Sequence, residues 1–255
     1  MQLKDRTIVL TGGAGELAGV LARRLLAEGA NLVLSDLDQA ALETRRDQLD
    51  AANVEILAGD VGEEETNAEM VALAERRFGG LHGFIANAGI EGPGAPLSEQ
   101  TAEGFDRVMR VNVRGPFLGL KCAMPAMARA GGGGIVILSS IAGVTGSPGL
   151  APYNTSKHAV IGLMRSAAAE GAAAGIRVNT INPAPLEGRM ISSIERSLRP
   201  GEEADMRQAY IDTRIPMGRY GRFEDMCGLF LLLLGDDGRF LTGGVYMADG
   251  GMSAI

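Results

Sequence analysis

The chain carries only two cysteines, Cys122 and Cys227, in 255 residues. Both sit in apolar surroundings without metal-ligand spacing, so they read as small buried hydrophobes, and neither a disulfide framework nor a thiolate metal site is expected. Histidine is equally scarce. His82 precedes an apolar run and His158 follows Lys157, with no second ligand near either, so structural roles and no metal are expected. Basic residues are outnumbered, 24 Lys and Arg against 31 Asp and Glu, for a net charge of −7. That balance argues against a nucleic-acid partner or an acidic membrane surface, both of which call for positive charge. Long apolar runs are also missing. Leu229–Leu234, with Phe230 inside it, falls far short of the ~18 residues that span a bilayer and reads as a core helix face. Arg6–Thr11 already reads as a strand and Lys4-Asp5-Arg6 is charged, so no signal-peptide region is expected; with reduced cysteines this points to a cytoplasmic protein. No repeat, low-complexity tract or Pro/Ser-rich linker interrupts the chain.

What is present is apolar residue in quantity, 46%, and 37 glycines. A core of that size fits one α/β domain over residues 1–255. Runs rich in β-branched residues alternate with helical patterns, and strands are predicted at Thr7–Thr11, Asn31–Ser35, Val54–Ala58, Gly83–Ala86, Gly134–Ser139, Arg177–Ile181 and Gly244–Met247. Near-continuous apolar strands separated by helices indicate a parallel sheet covered on both faces. Right-handed crossovers then make it a doubly wound Rossmann fold of about seven strands, with ligands at the carboxyl ends of the strands.

The first predicted strand runs into Thr11-Gly12-Gly13-Ala14-Gly15-Glu16-Leu17-Ala18-Gly19 and a helix reaching to about Glu28. Glycines at such a turn let the backbone approach a pyrophosphate, whose charge a helix N-terminus favours. Asp36 closes the second strand about 20 residues further on, where a carboxylate can hold the ribose hydroxyls of NAD and repel the 2′-phosphate of NADP. A loop or helix-cap role for Asp36 is the plainer alternative.

Tyr153-Asn154-Thr155-Ser156-Lys157 places a phenol and an ammonium four residues apart, on one helical face, thirteen residues after Ser140. A nearby cation favours the phenolate and brings a group of pKa ~10 toward the range of a general acid/base. A pair of this spacing also fits an ordinary helix surface, so the remaining motifs decide.

Together these features resemble the short-chain dehydrogenase/reductase family over essentially the whole length. The resemblance rests on the glycine turn, Asp60-Val61, Asn87-Ala88-Gly89, Asn112 in Val-Asn-Val-Arg-Gly, and Ser140, Tyr153 and Lys157 at their mutual spacing. Asn182-Pro183 and the ending Thr242-Gly243-Gly244 to Asp249-Gly250-Gly251 complete it. It implies Tyr153 as acid/base, Ser140 on the substrate oxygen, Lys157 on the nicotinamide ribose and Asn112 holding a water that links Lys157 to solvent. It further implies a cofactor site of Gly12, Gly15, Glu16, Leu17, Asp36, Leu37, Asp60, Val61, Asn87, Ala88, Gly89, Tyr153, Lys157, Pro183, Leu186 and Gly188. NAD is expected over NADP. Relatives commonly form tetramers or dimers, through the helices carrying Asn112 and Tyr153 and the last strand, and a homotetramer is the implied assembly.

Four positions depart from the family pattern. Glu16 and Ala18 take the last two glycine positions of the turn, and Glu16 is expected to point outward as a first-turn helix acid. Gly188 stands where the family usually has a threonine on the nicotinamide carboxamide, and backbone groups or Arg189 are expected to compensate. Ala184 stands where glycine is common.

Substrate identity is expected to reside in a lid at about residues 186–215, whose Met190, Ile191, Ile194, Leu198 and Met206 suggest an apolar inner face. Ser140, Ile141, Val144, Leu150, Tyr153 and Met190 are the expected substrate contacts, with Glu91 as a polar one. They fit a small hydrophobic, alicyclic secondary alcohol or ketone. A 3-oxoacyl-carrier-protein-type reductase is the alternative, opposed by Asp36 and the acidic balance. A non-catalytic nucleotide-sensing module would be expected to lose the Asn-Ser-Tyr-Lys set, and an extended-type sugar epimerase to carry more chain after Gly251.

Overall fold

A computed structural model describes residues 1–254. Seven parallel strands form one sheet, spatial order β3-β2-β1-β4-β5-β6-β7. They are β1 (Thr7–Thr11), β2 (Asn31–Asp36), β3 (Val54–Ala58), β4 (Gly83–Ala86), β5 (Gly133–Leu138), β6 (Ile176–Pro183) and β7 (Val245–Ala248). The order reverses between β1 and β4, so the crevice at a doubly wound switch point opens beside these two strands.

Alternation along the strands builds two cores, because successive side chains point to opposite faces. Ile8 and Leu10 of β1, Leu32 and Leu34 of β2 and Val136 of β5 pack beneath α1 (Glu16–Ala27), Leu42 of α2 (Gln39–Leu49) and α9 (Phe223–Leu234). Val9, Val33, Ile135 and Ile137 face the other way, against α3 (Glu64–Phe78), α5 (Gly115–Arg129) and α6 (Ala151–Gly171). The Leu229–Leu234 run thus lies on a helix whose Phe230, Leu231, Leu233 and Leu234 are buried. Among the described residues no helix is long and apolar enough to cross a membrane.

Local chemistry explains several helix starts. Asp38 caps α2, accepting from the Ala41 N–H at 3.0 Å, and Thr101 caps α4 (Ala102–Met109), accepting from Gly104 N–H at 3.0 Å. Glu64 and Glu65 stand in the first turn of α3, where the helix dipole favours acids. Between α4 and α5 the chain makes a π-helical turn over Arg110–Arg114 that carries Asn112.

Four predicted strand boundaries differ, the first being β2, which runs on to Asp36. β5 spans Gly133–Leu138, and β7 spans Val245–Ala248. β6 extends to Pro183 because β7 pairs alongside Asn182 and Pro183, in register with Met247 and Ala248. Of the cysteines, Cys227 is buried, whereas Cys122 is only partly so. His82 has a structural task, its Nδ1 accepting from the Thr7 N–H at 3.1 Å. Ala167 and Ala168 pack against the chain's own sheet.

Candidate active site

A cavity of about 760 Å³ opens at the carboxyl ends of the strands. It runs from Asp36, Leu37, Asp60 and Val61, past Gly12, Gly15, Glu16 and Leu17 and then Asn87, Ala88 and Gly89, to Ser140, Tyr153 and Lys157; Pro183, Leu186 and Gly188 line its far wall. Every residue expected around a cofactor therefore borders one continuous space.

That space suits a dinucleotide. Gly12 has φ +67°, and a Cβ there would lie 2.9 Å from Asn87 Nδ2 and 3.0 Å from Ala88 Cα, so a side chain has neither room nor relaxed backbone. Gly15 heads α1 without a side-chain cap, leaving the first-turn N–H groups for a ligand. Asp36 is held at the strand end, its Oδ2 accepting from Ala14 N–H at 3.1 Å and its Oδ1 from Leu37 N–H at 2.8 Å. Asn87 is stapled to the end of β1, donating from Nδ2 to the Thr11 carbonyl at 2.9 Å, while Thr11 Oγ1 accepts from the Asn87 and Ala88 N–H groups at 3.1 Å. Asp60 accepts from Arg110 at 2.5 Å and from Gly62 N–H at 2.7 Å.

At the other end, Tyr153 and Lys157 lie on the same face of α6, both buried. The Lys157 Nζ is 5.5 Å from the Tyr153 ring centroid and donates to the Leu138 carbonyl at 2.8 Å. Ser140 follows β5, its Oγ accepting from Ala142 N–H at 3.2 Å, and its carbonyl accepts from Asn182 Nδ2 of β6 at 2.9 Å. Burial pushes the Tyr153 phenol up to about 12, against the pull of the Ser140 side chain and with a push from the Glu91 carboxylate. Burial also brings Lys157 down to about 8. The spacing of Tyr153 and Lys157 predicts a lowered phenol; in the folded chain burial dominates and the pull downward comes from the Ser140 side chain.

Asn112 is buried but does not border the cavity. Its Oδ1 accepts from the Ile90 N–H at 2.8 Å, and its Nδ2 donates to the Ile90 carbonyl at 2.9 Å and to Ser156 Oγ at 3.0 Å. It thereby clasps the chain leaving β4 to the helix that carries Tyr153.

The expected lid consists of α7 (Arg189–Leu198) and α8 (Glu203–Arg214). Its Met190, Ile191, Ile194, Leu198 and Met206 all line the cavity, with Ile141 and Leu150 opposite. Ile194 and Leu198 pack on Ala142, Leu150 and Tyr153. Val144 departs from expectation: it is 42% exposed and lies off the cavity wall, because the turn Ile141–Gly143 carries the chain outward before it. Glu91 also lies off the cavity lining and pairs with Arg189 at 3.5 Å. Glu16 is an exposed acid in the first turn of α1, as expected, yet it also has a distant partner. Its Oε2 reaches the lid and accepts from the Arg189 backbone N–H at 2.8 Å.

Sequence reasoning missed the buried lid carboxylate Glu195. It accepts from Arg207 Nε at 3.0 Å and Nη2 at 2.7 Å, and from the Tyr220 hydroxyl at 3.0 Å. A signal existed: Glu195 falls on the apolar stripe of α7 beside Ile191, Ile194 and Leu198, where an unpaired charge could not remain. Arg107 and Arg110, at the Asp60 end of the cavity, were missed as well.

The sheet order, the glycine turn at the switch point and the buried Ser-Tyr-Lys cluster define a Rossmann-fold oxidoreductase, and the chain belongs to the short-chain dehydrogenase/reductase family. The family model described as "Enoyl-(Acyl carrier protein) reductase" matches residues 13–253. Levodione reductase of Leifsonia aquatica is 35% identical over 98% of this chain and 95% of its own, and the crystal structure of levodione reductase superposes with a TM-score of 0.95, at 34% identity, covering 99% of each chain. Cyclohexanol dehydrogenase of an Acinetobacter species is 34% identical over 96% of this chain and 94% of its own. The crystal structure of NAD+-bound xylitol dehydrogenase matches with a TM-score of 0.91, at 31% identity, covering 97% of this chain and 98% of that one.

Proposed function

We propose that this protein is an NAD-dependent oxidoreductase that interconverts a secondary alcohol and its ketone, with Tyr153 as acid/base. The observation that carries the reading is the buried Tyr153 phenol, set between the Ser140 side chain and Lys157, at the apolar end of a cavity that continues along the glycine turn to Asp36.

A nicotinamide dinucleotide in that cavity supplies the hydride acceptor or donor. The chain's own residues do the rest. Ser140 Oγ hydrogen-bonds the substrate oxygen and orients it toward the phenol. At neutral pH Tyr153, at about 12, keeps its proton, and Lys157, at about 8, keeps its charge, so the pair is set to give a proton to a carbonyl oxygen. In the reverse direction Tyr153 must accept the alcohol proton as tyrosinate, which rising pH favours. Oxidation is therefore expected to gain on reduction as pH rises.

Asp36 favours the 2′-hydroxyl of NAD over the phosphate of NADP by charge repulsion. The wall of Ile141, Leu150, Met190, Ile194 and Leu198 favours an apolar, alicyclic substrate. The likeness to proteins named for levodione and cyclohexanol supports the same class.

The test is a panel of cyclic and linear secondary alcohols and ketones, followed by reduced-nicotinamide absorbance with NAD or NADP. Tyr153→Phe is expected to lower kcat about a thousandfold, within the range for loss of a general acid/base, with NADH binding retained. A Tyr153→Phe protein that turns over as fast as the parent would sink the mechanism. Turnover with NADP alone would overturn the role given to Asp36.

A further inference from the structure

Helix α7 begins without a cap of its own. Its N-cap residue is Gly188, which has no side chain to offer the first-turn N–H groups. Conformation does not demand this glycine, since its φ of 163° and ψ of −173° are extended backbone open to any residue. Space does. A Cβ at position 188 would lie 2.5 Å from Glu16 Oε2 and 2.7 Å from Phe223 Cζ. The Glu16 carboxylate fills the place of a side chain at 188, and from there it accepts from the Arg189 N–H at 2.8 Å. The two partners lie 173 residues apart, one on the glycine turn and the other at the head of the lid. The Arg189 side chain is held as well, by Glu91 at 3.5 Å.

We infer that Glu16 is a positioning residue that caps the lid helix from the glycine turn, so that the seating of α7 over Tyr153 is set by the same turn that borders the cofactor cavity. This deepens the function proposed above and rests on it for its catalytic meaning. The link is direct: α7 reaches the site through Ile194 and Leu198, which pack on Leu150 and Tyr153. Loosening its first turn loosens that cover. Glu16 and Gly188, two departures from the family pattern that look independent in sequence, are then one compensating pair: a carboxylate in the first position requires no side chain in the second.

The test is hydrogen exchange of the amides of residues 189–198 in the full chain, with NADH binding followed in parallel by fluorescence. Glu16→Ala is expected to speed exchange in this segment five- to tenfold, about the effect of losing one helix cap, and to leave β1, β4 and β5 unchanged. Gly188→Ser alone, forced against Glu16, is expected to speed exchange too. The double variant Glu16→Ala with Gly188→Ser supplies a cap within the helix in the vacated space, leaving only the Phe223 ring tip to move, and is expected to return to within about twofold of the parent. Unchanged exchange in Glu16→Ala, or a double variant no better protected than Glu16→Ala, overturns the inference. NADH binding separates the two claims: a parent protein that binds no NADH overturns the cofactor reading, while the exchange pattern still decides whether Glu16 caps the lid.

Discussion

The cofactor end of the cavity and the lid are held by different kinds of interaction. Around β1 to β4 most of the geometry comes from backbone and short side chains close to their partners, Thr11 on Asn87 and Ala88 and Asp36 on Ala14 and Leu37, with Arg45 and Arg110 reaching in to Ala14 and Asp60. The lid is held by long charged side chains reaching between elements: Glu16 to Arg189, Glu91 to Arg189, and Glu195 to Arg207 and Tyr220. The first arrangement is rigid because each group has one place to go. The second can loosen one contact at a time without disturbing the sheet, which the proposed role of a cover over the substrate requires.

The sharpest way to break the rigid side is Gly12→Val. It demands φ +67° of a β-branched residue and places its Cβ within 3.0 Å of Asn87 and Ala88. NADH affinity is expected to fall at least about a hundredfold, roughly 3 kcal/mol at 1.4 kcal/mol per decade. Titration of NADH fluorescence checks this, and affinity within tenfold of the parent would show that the turn adapts.

The same contrast governs what could be read from the chain in advance. The strands, their parallel direction and the cavity-lining residues of the glycine turn were legible, because alternation, β-branched runs and glycine spacing are local properties. Ser140, Tyr153 and Lys157 were legible through their spacing on one strand exit and one helix face. The contact of Glu16 with the lid was not legible, because its partner is 173 residues away and is a backbone N–H, which no side-chain pattern announces. Val144 lies off the cavity wall after the three-residue turn Ile141–Gly143, a position that its apolar character alone does not reveal. The direction of the Tyr153 shift was missed because desolvation depends on the whole packed surroundings, whereas the four-residue spacing to Lys157 reports only one neighbour.

Breaking the lid tests the other side of the contrast. Glu195 is 2% exposed while Arg207 is 39% exposed in its side chain, so the partners are not equivalent. Arg207→Ala leaves a buried carboxylate with only the Tyr220 hydroxyl, at an expected local cost of about 3 kcal/mol. Glu195→Ala frees Arg207 to reach water and is expected to cost about half as much. Cleavage by thermolysin within residues 189–214 should rise in both, more for Arg207→Ala, and adding Glu195→Ala to Arg207→Ala should recover part of the loss. If both single variants are cleaved at the parent rate, the lid is held by its apolar face alone.

Lys157, buried on α6 beside Tyr153, gives a smaller effect than Gly12→Val or Arg207→Ala, but one of unusual sign. Its folded-state value, about 8, lies below the ordinary 10.5, so the unfolded chain binds more protons between those values. Stability from this group is therefore lowest below pH 8 and rises as pH climbs toward 10.5. A shift of that size corresponds to about 3 kcal/mol at 1.36 kcal/mol per unit. Against it stands the hydrogen bond from Nζ to the Leu138 carbonyl, worth about 1 kcal/mol net. Lys157→Met removes both, so without dinucleotide the variant is expected to be about 2 kcal/mol more stable than the parent at pH 7. The advantage should vanish and reverse toward pH 10 as the parent lysine sheds its proton. Urea unfolding at pH 7 and pH 10 reads this directly. A variant less stable than the parent at pH 7, with the same dependence on pH, would mean that the buried ammonium is compensated by the fold rather than held there at a cost.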